Sequence, residues 1–130
     1  MTSAAVIAAA AISIAVPTGT FTTSISNADL TAGKVSGSGL AANRGTYRLR
    51  IDAGGQWTMK NTAAGHLINP TQSGTYRATG SAVAFTNLLT GGTFTARLTL
   101  RTGSLRFTIL KASRPELRVV FGAHPWRKIG

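Results

Sequence analysis

Apolar and polar residues alternate over much of this 130-residue chain. The clearest case covers residues 94–101, where apolar residues take the even positions and threonine or arginine the odd ones. Thr102-Gly103 separates this stretch from a second alternating one at residues 105–109. Strict alternation is typical of a half-buried β-strand, and a short link containing glycine is typical of a hairpin turn. The pattern therefore predicts a β-hairpin around Gly103.

The tripeptide Gly-Thr-aromatic opens four stretches of this kind. Glycine tolerates a positive φ at the end of a turn, threonine suits the pleated surface of a sheet, and the aromatic residue can point to the interior. We therefore expect each copy to mark the start of a strand. The four copies are Gly19-Thr20-Phe21, Gly45-Thr46-Tyr47, Gly74-Thr75-Tyr76 and Gly92-Thr93-Phe94.

The alternating stretches predict an all-β fold with eight strands. A short helix is expected after the first strand, because Asn27 or Asp29 can cap it before three glycines break the pattern. Eight antiparallel strands in sequence order favour a closed up-and-down β-barrel, and an open β-sandwich is the alternative. The strands are predicted at residues 18–26, 45–52, 74–79, 82–86, 94–101 and 105–109, around Trp57 and Met59, and around Leu117, Val119 and Phe121.

The links between the predicted strands alternate between long and short. In an up-and-down barrel the long links at residues 27–44, 62–73 and 111–116 meet at one end together with the turn near Gly91, which predicts a mouth there. Tyr47, Tyr76 and Phe94 begin even-numbered strands and are expected at the mouth.

The opposite end of the barrel is expected to be plugged. Phe21 begins the first strand there, and the last strand is expected to deliver Phe121 and then Trp126 to the same end. Cationic residues on the mouth loops are expected to face a ligand with an acidic head. These mouth charges are Lys34, Arg44, Lys111 and Arg114.

Residues 1–17 form an apolar segment that ends at Pro17. Ser13 and Ala15 give the small-x-small pattern of a signal-peptide cleavage site, although the usual positively charged start is missing. The segment predicts a secreted or cell-surface protein whose mature part is one barrel domain at residues 18–130, with no stable membrane span. A hydrophobic helix or strand kept in the mature fold is the alternative.

The charge balance is strongly basic, with 14 Lys and Arg against 3 Asp and Glu and a net charge of +11. Such a charge favours association with polyanions or anionic surfaces. The chain has no cysteine, which excludes disulfides and thiolate metal sites.

Residues that support catalysis are scarce. His66 and His124 are the two histidines, and neither is accompanied by a histidine or carboxylate pair at metal-ligand spacing. No serine lies in a Gly-x-Ser-x-Gly motif. We therefore expect no enzyme, no metal and no cofactor. A cyclase or isomerase that shapes an apolar substrate is a third alternative, and it would need a buried polar group.

Short motifs along residues 19–130 resemble the lipocalin and wider calycin superfamily. Gly19-x-Phe21 lies where lipocalins carry Gly-x-Trp near the first strand, with phenylalanine in place of tryptophan. Residues 27–44 lie where their long lid loop follows that strand, and Trp126-Arg127 lies near their late arginine.

Three further segments are similar to lipocalin-like domains of secreted actinobacterial proteins. They are Asp29-Leu30-x-x-Gly33, Ala42-Asn43-x-Gly45-Thr46-Tyr47 and His124-Pro125-Trp126-Arg127-Lys128-Ile129. The resemblance implies a barrel that binds a small hydrophobic or amphiphilic molecule. We expect the lining to be Tyr47, Trp57, Met59, Tyr76, Phe85, Phe94, Leu98 and Phe107.

The alternative function is a non-enzymatic interaction module. Its basic outer face would bind an anionic cell-surface polymer or a partner protein. Nucleic acid is not expected, because the aromatic residues share the inward phase and leave no stacking surface among the arginines. The arginines predicted on the outer face are Arg48, Arg50, Arg77, Arg97, Arg101 and Arg106.

Overall fold

The computed structural model describes residues 15–61 and 71–130. Eight antiparallel strands form a closed barrel in chain order, which confirms the predicted all-β barrel. The last strand pairs with the first, so the open-sandwich alternative is excluded. The strands are β1 (Gly19–Ile25), β2 (Gly45–Ile51), β3 (Gln56–Asn61), β4 (Gln72–Thr79), β5 (Ala82–Asn87), β6 (Thr93–Arg101), β7 (Ser104–Ala112) and β8 (Trp126–Lys128). The helices are α1 (Asn27–Ala32), α2 (Ser38–Asn43) and α3 (Pro115–Gly122).

The two ends of the barrel differ in their connections. We call one the hairpin end, because tight turns join β2 to β3, β4 to β5 and β6 to β7 there. Gly55, Gly80 and Gly103 in these turns have positive φ values, as the turn geometry requires. We call the other the helical end, because α1 and α2 join β1 to β2 there and α3 joins β7 to β8.

The glycines of the repeated tripeptide have two different roles. Gly19 and Gly45 have φ values of 130° and 132°, as expected for residues that leave a turn. Gly74 is instead required by packing, because a Cβ there would lie 2.5 Å from Cε2 of Trp57 and closer still to the carbonyl oxygen of Thr86. The repeat therefore marks strand starts correctly, but one cause does not explain all of its glycines.

The hairpin of β6 and β7 extends beyond its neighbour β5. Only residues 93–96 of β6 pair with β5, whereas residues 94–101 all take part in the pairing with β7. Leu98 is consequently half-buried, and Leu100 has 43% of its surface exposed although its alternation predicted an inward position.

The strand predicted around Leu117, Val119 and Phe121 is wrong, because these residues belong to α3. Arg114 is the extended N-cap residue, and Pro115 occupies the first turn, where its missing N–H has no helical partner to lose. Val119, Val120 and Phe121 are buried in succession, which alternation cannot produce. The eighth strand lies at Trp126–Lys128, where a tail was expected.

Phe121 projects from α3 into a cluster of aromatic rings inside the barrel. Its ring centroid lies 4.4 Å from that of Phe94 and 5.4 Å from that of Phe107. It also lies 5.8 Å from the ring of Trp126 and 6.1 Å from that of Trp57. Phe121 was expected to plug the hairpin end, but it is carried by α3 from the helical end.

Helix α1 is held at both of its ends. Its N-cap is Ser26, one residue before the predicted Asn27, and the Ser26 hydroxyl and the Asp29 carboxylate form a reciprocal capping box with the backbone. Leu30 is fully buried. At the other end, Gly33 lies so close to Val119 of α3 that a Cβ would overlap the valine methyl group. These contacts seat α1 against α3.

Replacing Phe121 with alanine is expected to lower the free energy of unfolding by about 3–5 kcal/mol, the range for buried aromatic residues, because the other rings lose their common partner. Leu117→Ala, on the same helix but half-buried, is the matched control and is expected to cost less. Urea unfolding followed by tryptophan fluorescence measures both. Equal losses in the two variants would show that the packing of Phe121 is not what holds α3 against the barrel core.

Candidate functional site

The predicted ligand-lining residues lie on the inner face of the barrel. Tyr76 and Leu98 are half-buried, and the other six are buried with at most 4% of their surface exposed. The six are Tyr47, Trp57, Met59, Phe85, Phe94 and Phe107.

These inward rings are one another's packing partners. The rings of Phe85 and Phe94 stack nearly parallel with centroids 4.7 Å apart, and Phe94 packs on Phe121 on its other side. Tyr76 packs on Phe85 at 5.9 Å. A ligand among these rings would have to take the place of Phe121. The interior ligand site therefore stays a prediction.

The polar groups of the inner rings are bonded to the backbone. The Tyr47 hydroxyl donates to the Asn43 carbonyl at 2.6 Å, and the Trp57 and Trp126 indoles donate to carbonyl oxygens at 3.2 and 3.1 Å. Burial raises the pKa of Tyr47, so this hydroxyl keeps its proton. These groups hold the cluster in place.

Tyr76 lies nearer the hairpin end, which corrects its predicted place at the mouth. Its hydroxyl donates to the carbonyl oxygen of Asp52, which follows the last residue of β2. The reason is the stagger of the barrel: Thr75 of β4 is paired with Gln56, the first residue of β3. The order of the strands along the chain does not predict how far neighbouring strands are offset from each other.

The four predicted mouth charges are exposed and lie at the helical end, as expected. Lys34 follows α1, Arg44 ends α2, Lys111 is near the end of β7, and Arg114 precedes α3. Helices α1 and α3 pack against each other at this end, where Gly33 lies against Val119.

The histidine that the structure describes, His124, has a structural partner. Its Nε2 lies 2.9 Å from Oδ2 of Asp29, and Asp29 also accepts a hydrogen bond from the Ser26 backbone N–H. This contact ties the segment before β8 to the start of α1. His66 lies outside the described residues. Within residues 15–61 and 71–130, no three His, Asp or Glu side chains are grouped to hold a metal ion.

The six arginines predicted on the outer face are all exposed. Part of this face carries a line of cations and hydroxyls in direct cross-strand register, which we call the basic row. Directly paired residues of adjacent strands point to the same side of a sheet. From β3 through β2, β1, β8 and β7 to β6, the basic row is Lys60, Arg48, Thr22, Arg127, Ser104 and Arg101.

The spacing of the cations determines how strongly they repel one another within the basic row. Adjacent strands are about 4.8 Å apart, so Arg48 and Lys60 are immediate neighbours, whereas Arg127 and Arg101 follow at intervals of about 10 Å. Like charges directly opposite each other destabilise an antiparallel pair. The pairing of Arg48 with Lys60 therefore lowers the stability of the fold, and an anion bound between the two side chains would reduce their repulsion.

A surface groove of about 360 Å³ lies at one end of the basic row. Arg48, Arg50 and Lys60 line it together with the threonines Thr20 and Thr58. Three cations beside hydroxyl groups provide donors for phosphate, sulfate or carboxylate oxygens. The groove is therefore a candidate site for one anionic group.

The acidic residues do not neutralise the basic row. Asp29 binds His124, Asp52 accepts hydrogen bonds from Gly54 and Gln56 at the turn after β2, and Glu116 lies on α3. Among the residues for which the structure is described, the contact of His124 with Asp29 is the one contact within 4 Å between a basic side chain and a carboxylate.

Sequence reasoning missed two of the four cations of the basic row. Lys60 alternates with Trp57 and Met59, so the same two-residue period that identified Arg48 would have placed it outside. Arg127 needed the correct eighth strand, which was misplaced.

No protein-family model, curated protein or solved structure matches the chain. The resemblance to lipocalins therefore stays a prediction. Within the part of the chain that the structure covers, each helix is too short to cross a lipid bilayer.

Stability is expected to depend on pH through Asp29. The hydrogen bond from the Ser26 N–H is the main reason that the pKa of Asp29 lies below its usual value of 3.8; His124 adds to the effect, and partial burial opposes it. The stabilisation is fully present above about pH 4 and is lost as the pH falls through the lowered pKa.

The free energies of unfolding of the wild type and of Asp29→Asn, measured by urea titration from neutral to acidic pH, test this expectation. The difference should shrink as the pH falls below about 4, where the native carboxyl becomes neutral as well. A constant difference would contradict it.

Lys60→Glu is expected to stabilise the protein by about 0.2–1 kcal/mol, because it replaces a directly opposed pair of like charges with an Arg–Glu pair. Thr58→Glu, on the same strand opposite Arg50, is a matched control that adds a carboxylate without removing a repulsion. Thermal unfolding at low salt measures both. A larger gain from the control would contradict repulsion between Arg48 and Lys60.

Proposed function

We propose that this protein is a non-enzymatic module that binds an anionic cell-surface polymer on the outer face of its barrel. The basic row carries the proposal: its four cations cross six strands in register, and two of them are directly opposed. A polymer with repeated phosphate or sulfate groups is the class of ligand that fits a row of spaced cations.

The binding energy has two sources in this proposal. Arginine donates paired hydrogen bonds to phosphate and sulfate oxygens, and such charge-assisted bonds are stronger than neutral ones. An anion between Arg48 and Lys60 also removes a repulsion that the free protein carries. Binding is therefore more favourable there than at an isolated surface arginine.

The position of the aromatic residues favours a polymer without bases. Both tryptophans and all five phenylalanines are buried, as is Tyr47, and Tyr76 is half-buried. Proteins that bind single-stranded nucleic acid stack bases on exposed rings. The outer face offers cations and hydroxyl groups instead.

The first function predicted from the sequence, a hydrophobic ligand inside the barrel, is the rival. It requires space that Phe121 occupies in this structure. Secretion is consistent with a cell-surface ligand, but the segment that predicts it lies mostly outside the described residues.

Binding to immobilised polyphosphate and to heparin tests the proposal. The double variant Arg48→Ser/Arg127→Ser should bind at least about tenfold more weakly, since a hydrogen bond to a charged group is worth roughly 1.5–3 kcal/mol. Its affinity should also depend less steeply on salt, because fewer counterions are released.

The matched control is Arg77→Ser/Arg97→Ser, which removes the same charge from exposed positions outside the basic row. Its affinity should fall by a smaller factor. Equal losses would show that net charge alone drives binding and would overturn the role of the basic row. Tighter binding to oligothymidine than to polyphosphate would assign the face to nucleic acid. A lipid that co-purifies in native mass spectrometry would support the interior site.

A further inference from the structure

The turn between β5 and β6 exposes two adjacent leucines at the helical end. Leu88 has 66% of its surface exposed and Leu89 has 57%, the largest values among the exposed large hydrophobic residues of the described chain. A single exposed leucine is ordinary on a protein surface. Two in succession at the tip of a turn form a small apolar projection, which we call the leucine tip.

The backbone holds the leucine tip in one conformation. The Asn87 side-chain oxygen accepts hydrogen bonds from the backbone N–H groups of Leu89 and Thr90 at 2.9 and 3.1 Å. The Leu88 N–H donates to the Ser73 carbonyl oxygen at 2.8 Å. Asn87 itself is buried, and its amide donates to Gln72 at 2.7 Å. The leucines are therefore presented to solvent by an ordered turn, so little order has to be gained on docking.

The Arg114 cation lies beside the leucine tip, and further cations follow on the neighbouring β7 and α3. The Arg114 guanidinium donates to the Thr90 carbonyl oxygen, the residue after the tip, at 3.2 Å. Lys111 is paired with Thr95 on the adjoining strand, and Arg118 donates to the Ile109 carbonyl oxygen. Glu116 is the one acidic residue among residues 111–118. On the other side, Leu88 lines a groove with Arg50 and Asp52. With these two counted, the charge next to the leucines is still positive on balance.

We propose that the leucine tip docks this protein on an anionic lipid bilayer. Leucine side chains gain free energy when they leave water for the acyl region, and cations beside them are attracted to the negative surface of anionic lipids. A polyanion without an apolar phase would use the cations and leave the leucines in water. A bilayer is the partner that uses both features. Leu88 shares a groove with Arg50 and Thr58, and these two residues also line the groove at the end of the basic row. The proposal still does not depend on the polymer function, because it rests on the exposed leucines and not on the basic row.

Co-sedimentation with vesicles of phosphatidylglycerol and phosphatidylcholine tests the proposal. The double variant Leu88→Ser/Leu89→Ser should partition on the order of 10- to 100-fold more weakly, the fold-change expected for two leucines that each lose part of their burial. Leu100→Ser/Ile129→Ser removes two exposed apolar side chains at the hairpin end and should bind as the wild type does. Vesicles of phosphatidylcholine alone should bind all three proteins weakly.

A fluorescent label can report insertion directly, because the chain has no cysteine of its own. A polarity-sensitive dye on Leu89→Cys should shift to the blue on anionic vesicles and keep that shift in salt that weakens the charge attraction. The same dye on Ser81→Cys, in the turn at the hairpin end, should not respond.

Two results would overturn the membrane assignment. One is that the leucine double variant binds vesicles as the wild type does, and the other is that both dye positions respond equally. If the double variant keeps its vesicle binding and also loses self-association, the leucine tip is assigned to a second copy of the chain. Unchanged polyphosphate binding in the leucine double variant, with vesicle binding lost, separates this proposal from the polymer function.

Discussion

The position of Phe121 inside the barrel is the constraint on which the rest of the structure depends. The ring packs against aromatic rings of β3, β5, β6, β7 and β8, and the Phe121 carbonyl oxygen accepts the Trp126 indole N–H at 3.1 Å. Trp126 is the first residue of β8, so the same residue that seats α3 also determines where the closing strand begins. A strand of three residues is too short to close the barrel unaided, so this hydrogen bond acts together with the contact of His124 with Asp29 to fix the start of β8.

The packed interior is the reason that we assign the proposed function to the outer face of the barrel. The inner rings pack against one another, and their polar groups bond to the backbone, so the barrel interior supplies stability. That stability allows the outer face to keep Arg48 opposite Lys60, an arrangement that costs free energy and has no structural benefit of its own. The leucine tip at the helical end is a second surface feature that does not stabilise the fold, because its leucines are exposed to solvent by a hydrogen-bonded turn.

Most of the barrel could be predicted because alternation and glycine turns are local properties. The hairpin around Gly103 and the outward position of Arg48 depend on neighbours within a few residues, and both are confirmed. The segment around Val119 was predicted wrongly, because β-branched residues and alternating apolar positions suit a strand locally. Its helix is decided by Pro115 at the start and by Phe121, whose partners are distant in the chain.

The amino-acid sequence by itself determined the first seven strands, the hairpin turns, the side of the sheet that their residues face and the excess of positive charge. These follow from period-two patterning and composition, which need no knowledge of distant contacts. Tertiary structure decided the stagger that carries Tyr76 towards the hairpin end, the seat of Phe121, and the register that aligns Lys60, Arg48 and Arg127. Register and stagger depend on how strands slide past one another as the barrel closes, and only the packing of the whole core selects one arrangement.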